Sequence, residues 1–264
     1  MNQEPGFEFW MPPAAVGFAG ELDSLMVLLH VVMLAMFVIW GAYFGYSLYA
    51  YRSRPGGRGV YHVAGEKASF IPDALVLAFE VWLILGYGIP LWAKLKQETP
   101  PPTESLQIRL VAQQFAWNFQ YPGADGKFGR REVSLVSASN SIGLDESDPA
   151  SKDDVLSINN LHVPVGRTFT LLMTSKDVIH DFQVHAFRNK QDILPGMMTT
   201  LWFDPTVVGK YQIGCAQLCG LGHTQMVGSV FVDEPADYEA WLKGQLEMRT
   251  GTADSRRDLE EARS

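Results

Sequence analysis

Cysteine is nearly absent from this chain of 264 residues, which contains two. That scarcity excludes a disulfide-dense scaffold and a four-thiolate zinc or iron–sulfur site; with no C-x-x-C-H present, covalently attached haem is excluded too. Positive charge is also in short supply, with 21 Lys and Arg against 29 Asp and Glu and a net charge of −8. No basic patch interleaved with aromatics occurs, so nucleic acid is not an expected partner. No G-x-G-x-x-G, G-x-x-x-x-G-K or H-E-x-x-H motif is present, which leaves nucleotide-binding and zinc-protease readings without support.

Charge is missing altogether from one long run. Between Asp23 and Arg52 stand 28 residues without Asp, Glu, Lys or Arg, and between Asp73 and Lys94 stand 20 with only Glu80. A bilayer core of about 30 Å needs roughly 20 helical residues. Ser24–Tyr51 and Ala74–Ala93 both satisfy this, and the first, whose one ionisable group of the kind is His30, lacks the polar face of a soluble helix. The expectation is a membrane α-helical hairpin of two transmembrane helices. Arg52, Arg54, Arg58 and Lys67 face Glu66 alone in the connection, whereas Glu4, Glu8, Glu21 and Asp23 precede the first span without a base. The positive-inside bias therefore puts loop 52–69 in the cytoplasm and both termini outside. The opening residues lack the basic start and small-residue cleavage site of a removed signal. Glu80, within the second span, is costly there and is a functional candidate, with protonated packing as its bland alternative. Asp73, at the cytoplasmic end, reads as an interfacial or helix-capping group.

After a stiff proline-rich linker, Glu98–Glu104, the chain reads as all-β. Leu106–Tyr121 is a strand ending at the turn Pro122–Gly123, and residues 124–154 are a polar excursion with at most short strands. Short apolar runs follow at Val155–Ile158, Thr168–Met173, Val178–Val184, Thr199–Phe203, Lys210–Ile213 and Val227–Val232. Their regular punctuation predicts a β-sandwich or barrel. Pro235–Arg249 has helical spacing, and the charged tail Thr250–Ser264 is expected to be disordered. The predicted layout is an external segment 1–22, a hairpin 23–96, an external domain 97–249 and a tail 250–264. Residues 97–264 hold 22 acids and 15 bases, a net of −7 that suits a basic partner, although most acidic surfaces only solvate.

The densest chemistry is Cys215-Ala-Gln-Leu-Cys219-Gly-Leu-Gly-His223-Thr-Gln-Met226, a C-x3-C-x3-H-x2-M pattern. Two thiolates, an imidazole and a thioether form a soft set suited to copper. A closed zinc site has no use for Met, and a blue-copper site needs only one Cys, so the second thiolate points to two bridged metals. The bland alternative, a Cys215–Cys219 disulfide, leaves His223 and Met226 without a role.

This loop, behind a two-helix hairpin and a proline-bearing linker, resembles subunit II of the haem–copper cytochrome c oxidases over nearly the whole chain. The resemblance implies a cupredoxin-like fold for residues 97–249 and a binuclear copper centre, CuA, of two copper ions. It carries over Cys215, Cys219, His223 and Met226 as ligands, with Gln217 offering its carbonyl. The segment Ser175-Lys-Asp177-Val-Ile-His180-Asp-Phe182 matches the family's upstream strand and makes His180 the second imidazole. On residues alone, His162, read as loop or strand edge, and His185, read as pointing to the opposite strand face, compete with it.

Two departures stand out. Gln217 occupies the place of a family Glu whose side chain serves magnesium at the subunit contact; a neutral amide is a weak ligand for that hard cation. The family's Q-W-Y-W reads Gln114-Phe115-Ala116-Trp117 here, so Phe115 stands at the electron-input position and Trp117 at the second Trp, where core packing competes. The family's proton-path carboxylate matches Asp73 in depth better than Glu80, and both remain candidates. The implied function is electron transfer from cytochrome c, or a membrane-bound cytochrome donor, through the copper pair to haem in catalytic subunit I. There, with other oxidase subunits, dioxygen is reduced to water coupled to proton pumping. The other classes are a nitrous-oxide-reductase-like domain, which would need a histidine-rich second cluster from a chain with six His, and a copper chaperone or metal-free quinol-oxidase subunit.

Overall fold

A computed structural model describes residues 11–56 and 66–261, so Glu4, Glu8 and Arg58 of the charge argument lie outside the described residues. The chain forms two compact units, Gly20–Glu98 and a larger one made of the N-terminal residues to Ala19 together with Thr99–Ser264.

The smaller unit is helical. α1 runs Ala19–Ala50 and α2 runs Glu66–Leu83; a π-helical turn at Ile84–Gly88 leads into α3, Ile89–Lys96. Ala19–Ala50 and Phe70–Lys96 are long and apolar enough to cross a membrane, with mean hydropathies of 2.5 and 1.9. Both exceed the predicted spans because interfacial polar residues continue the helices. The π-turn has a local cause in Pro90, which has no N–H to donate and whose ring would crowd the carbonyl four residues back. The start of α1 and the end of the second span meet, since Lys94 Nζ donates to Glu21 and Tyr87 Oη donates to the Glu21 carbonyl at 3.3 Å. Asp73 does not cap a helix: α2 begins at Glu66, so Asp73 sits inside it beside Pro72.

The larger unit is a sandwich of two five-stranded sheets. The strands are β1 Leu106–Gln113, β2 Ala116–Tyr121, β3 Val155–Ile158, β4 Asn160–Pro164 and β5 Phe169–Ser175. They continue with β6 His180–Val184, β7 Asn189–Ile193, β8 Thr199–Phe203, β9 Gly209–Cys215 and β10 Val227–Asp233. One sheet has the order β3-β2-β1-β5-β8 and the other β4-β10-β9-β6-β7. Alternation places Trp117, Phe119 and Tyr121 of β2 with Phe169, Leu171 and Met173 of β5 in a dry core.

The predicted single strand 106–121 is broken at Gln114–Phe115 into a hairpin, with Ala112 opposite Trp117. β4 and β7 escaped the apolar-run reading because Asn160, Asn189, Lys190 and Gln191 dilute them. His185 lies not on a strand but in a short 3-10 turn, His185–Phe187, after β6 ends.

Residues 11–18, ahead of α1, belong to this unit. Val16 bridges Pro205, the Ala15 N–H donates to the Ala186 carbonyl at 3.0 Å, and the Phe18 ring lies 5.4 Å edge-on to Trp202. α4 spans Pro235–Glu261, so the helix continues through most of the tail expected to be disordered. Its Ala, Arg, Leu and Glu content is helix-forming, a local propensity that the low apolar content concealed.

Candidate metal centre

Three strand ends of the second sheet build the site. β6 begins at His180 and β9 ends at Cys215; their antiparallel pairing sets Phe182 opposite Cys215. β10 starts at Val227 opposite Gly214, so Met226 arrives beside the same edge. The chain from Cys215 to Met226 must therefore turn back over one end of the sandwich. It closes through a 3-10 turn at His223–Gln225, where the Met226 N–H donates to the His223 carbonyl at 3.2 Å.

The predicted donors gather there. Cys215 Sγ is 3.8 Å from Cys219 Sγ, and Cys219 Sγ is 3.6 Å from His223 Nδ1 and 3.7 Å from Met226 Sδ. The two sulfurs and a ring nitrogen of His180 lie within 4.8 Å of one another. The Gln217 carbonyl is 3.1 Å from Cys215 Sγ, while the Gln217 side chain is exposed. Neither cysteine is in a disulfide. His180, Cys219 and Met226 are buried, so water is kept from most of the cluster.

Each His180 nitrogen has a distinct surrounding. Nε2 lies 2.9 Å from Asp177 Oδ1, which fixes the ring. Nδ1 is buried and finds no hydrogen-bond partner among the described residues. An orphaned imidazole nitrogen beside two unbridged thiols fits a soft metal ion, since a buried polar atom without a partner is otherwise costly. Burial works against charge on both sulfurs, yet the two diverge. Hydrogen bonds with His180 and with the Asp181 and Gln217 backbone pull Cys215 down to about 6. Burial and the neighbouring Cys215 charge push Cys219 up to about 11.

The other candidates fall elsewhere. His162 Nδ1 is 2.7 Å from Asp233 Oδ2, with its ring stacked between Phe231 and Trp241. Trp117 is fully buried, edge-on to the His180 ring at 6.2 Å and to Phe182 at 5.6 Å. Phe115 is 38% exposed and lies against the ligand loop, where a Cβ on Gly222 would come within 2.5 Å of its ring. Glu80 and Asp73 both lie on α2, in the other unit. Sequence reasoning missed Asp177 and Gln114 as supports of the site. The three-residue spacing of Asp177 before His180 was a usable signal, whereas Gln114 had none.

The family description "Cytochrome C oxidase subunit II, periplasmic domain" matches residues 106–232. The alternative cytochrome c oxidase subunit 2 of Bradyrhizobium diazoefficiens is 38% identical over 193 residues, covering 70% of this chain and 69% of that protein. This chain is a subunit II of the haem–copper oxidase family. The haem-copper oxidase subunit 2 of Aeropyrum pernix is 29% identical over 216 residues, covering 77% of this chain and 81% of its own. A crystal structure of the periplasmic domain of subunit II of cytochrome oxidase from Bradyrhizobium japonicum has 25% identity and a TM-score of 0.42, covering 57% of this chain and 99% of that one. As a subunit II, the chain is a membrane-anchored part of an oxidoreductase complex, with two apolar helices and a cupredoxin-like β domain that carries a possible copper site.

Proposed function

We propose that this subunit II holds a binuclear CuA centre through His180, Cys215, Cys219, His223, Met226 and the Gln217 carbonyl. The observation that carries the reading is the pair of unbridged thiols 3.8 Å apart, within 4.8 Å of a ring nitrogen of a buried His180 whose Nδ1 has no hydrogen-bond partner among the described residues. When bound, the copper pair supplies a one-electron relay between cytochrome c, or a bound cytochrome donor, and haem in subunit I, where dioxygen is reduced to water with proton pumping.

The chain's own residues prepare that role. Asp177 holds the His180 ring by Nε2 and leaves Nδ1 for the metal, as ligating imidazoles are usually held. Strand ends and a hydrogen-bonded 3-10 turn fix the donors before any ion arrives, which keeps structural change on electron transfer small. Burial of Cys219 and Met226 speaks against a chaperone, which needs exposed and labile ligands. Phe115 at the surface is the candidate for electron input, and Trp117 lies behind the site against His180. Asp73 and Glu80 stand seven residues apart on α2, hence on one helix face, and both serve as candidates for a proton path along the partner subunit. Magnesium is left out, because Gln217 offers only a neutral amide. The domain is assigned to the outer side of a bacterial inner membrane, with loop 52–69 inside.

The test is the full-length chain in detergent, loaded with copper. Two copper ions per chain and an electron paramagnetic resonance signal delocalised over both are expected. One copper per chain with a blue-copper spectrum overturns the binuclear reading.

A further inference from the structure

We infer that Gln114, which supplies no metal ligand, is the positioning residue that locks Cys219 and His180 into one arrangement. Gln114 sits in the turn between β1 and β2, in the first sheet, whereas His180, Cys215 and Met226 come from strand ends of the second. Its side-chain Nε2 donates to the Cys219 carbonyl at 2.6 Å. Its backbone N–H donates to Asp177 Oδ2 at 2.7 Å, and the other oxygen of that carboxylate is the one 2.9 Å from His180 Nε2. One residue thus reaches the ligand loop through its amide and the orienting carboxylate of the imidazole through its backbone.

The loop is shaped to admit this amide. Gly220 follows Cys219 with φ +132, and a Cβ there would stand 2.7 Å from Gln114 Nε2 and 3.2 Å from the Phe115 ring. Only glycine leaves that space open while adopting that backbone. A loop that departs from its sheet at Cys215 and returns at Val227 is otherwise anchored at its ends by β9 and β10; the Gln114 bond fixes its middle, at a donor residue. Ligand sets must be held to about half an ångström to work, and partners outside the ligand set often govern metal affinity. The role calls for a hydrogen-bond donor at that reach, since the atom it meets is a carbonyl oxygen.

The consequence for copper rests on the function proposed above, so the experiment has one arm that needs no metal. In the full-length chain in detergent, Gln114→Leu keeps the side-chain volume and removes the donor, and Gln114→Lys restores a donor of similar reach. Gln114 is exposed, so neither change disturbs the core. In the metal-free chain, Gln114→Leu is expected to speed backbone hydrogen exchange across residues 215–222, with the melting temperature unchanged. In the copper-loaded chain it is expected to lower copper affinity by about 10- to 100-fold, read by chelator competition, and to alter the resonance signal. Gln114→Lys should return both readouts toward the parent. Unchanged exchange and affinity in Gln114→Leu overturn the proposal, as does a loss that Gln114→Lys fails to repair. A parent chain that binds no copper overturns the CuA reading and leaves the exchange arm to decide on Gln114.

Discussion

Two histidine–aspartate pairs lie in the same sandwich and do different things. His162 and Asp233 are 2.7 Å apart, and His180 and Asp177 are 2.9 Å apart. The first ring is closed in on both faces, by Phe231 at 4.4 Å and Trp241 at 4.1 Å, and the pair clasps α4 to β4 and β10. The second ring is more deeply buried, its remaining nitrogen has no hydrogen-bond partner among the described residues, and two sulfurs lie within 4.8 Å of a ring nitrogen. A carboxylate beside an imidazole therefore says little about function by itself. What decides is the group offered to the other ring nitrogen, and whether the protein has already satisfied it.

The sharpest way to break this comparison is to remove a side chain at each of the two places. Cys219→Ser or His180→Ala should abolish the two-copper resonance signal completely, while His162→Ala leaves it intact; copper stoichiometry and resonance spectra on the three variants check this. If His162→Ala removes the signal, the assignment of roles is reversed. Trp117→Ala should be the most destabilising of the aromatic changes, by about 3–5 kcal/mol, because a large ring is lost from a site with no exposure. Denaturant unfolding of the metal-free chain measures it, and a change below about 1 kcal/mol would count against a core role.

His162→Ala should cost less, because a smaller and partly exposed ring is lost from between Phe231 and Trp241 together with its contact to Asp233. The same unfolding curves test it. The smallest effect is expected from Met226→Leu. Leu conserves the buried volume, so stability should fall by less than about 1.5 kcal/mol. Two coppers should stay bound while the reduction potential moves, since a thioether tunes a copper site more than it holds it. Loss of copper in that variant would raise Met226 from a tuning ligand to an essential one.

Much of this molecule was legible in its order of residues. Hydrophobic runs of helical length need no partner to announce themselves, because the bilayer imposes the length. Closely spaced soft donors are likewise a local pattern, and Cys215, Cys219, His223 and Met226 come together within a single loop, as their spacing implied. Strands with strong apolar content, such as Val155–Ile158 and Thr199–Phe203, were found to the residue.

The rest depended on contacts between distant segments. β4 and β7 are too polar to be read alone and exist because β10 and β6 offer them ladders. The break at Gln114–Phe115, which turns one apparent strand into a hairpin, is marked in the sequence only by a slip of phase, from apolar residues at even positions (Ile108, Leu110, Ala112) to odd ones (Trp117, Phe119, Tyr121), and the pairing of Ala112 with Trp117 is what makes it a turn. The segment before α1 joins the β domain through Val16 and Phe18, some 190 residues from their partners in sequence. His162 and His180 look alike as letters in a row. Only the folded sandwich closes one between aromatic rings and turns the other toward two sulfurs, because sequence specifies which groups are available, and pairing register decides which of them meet.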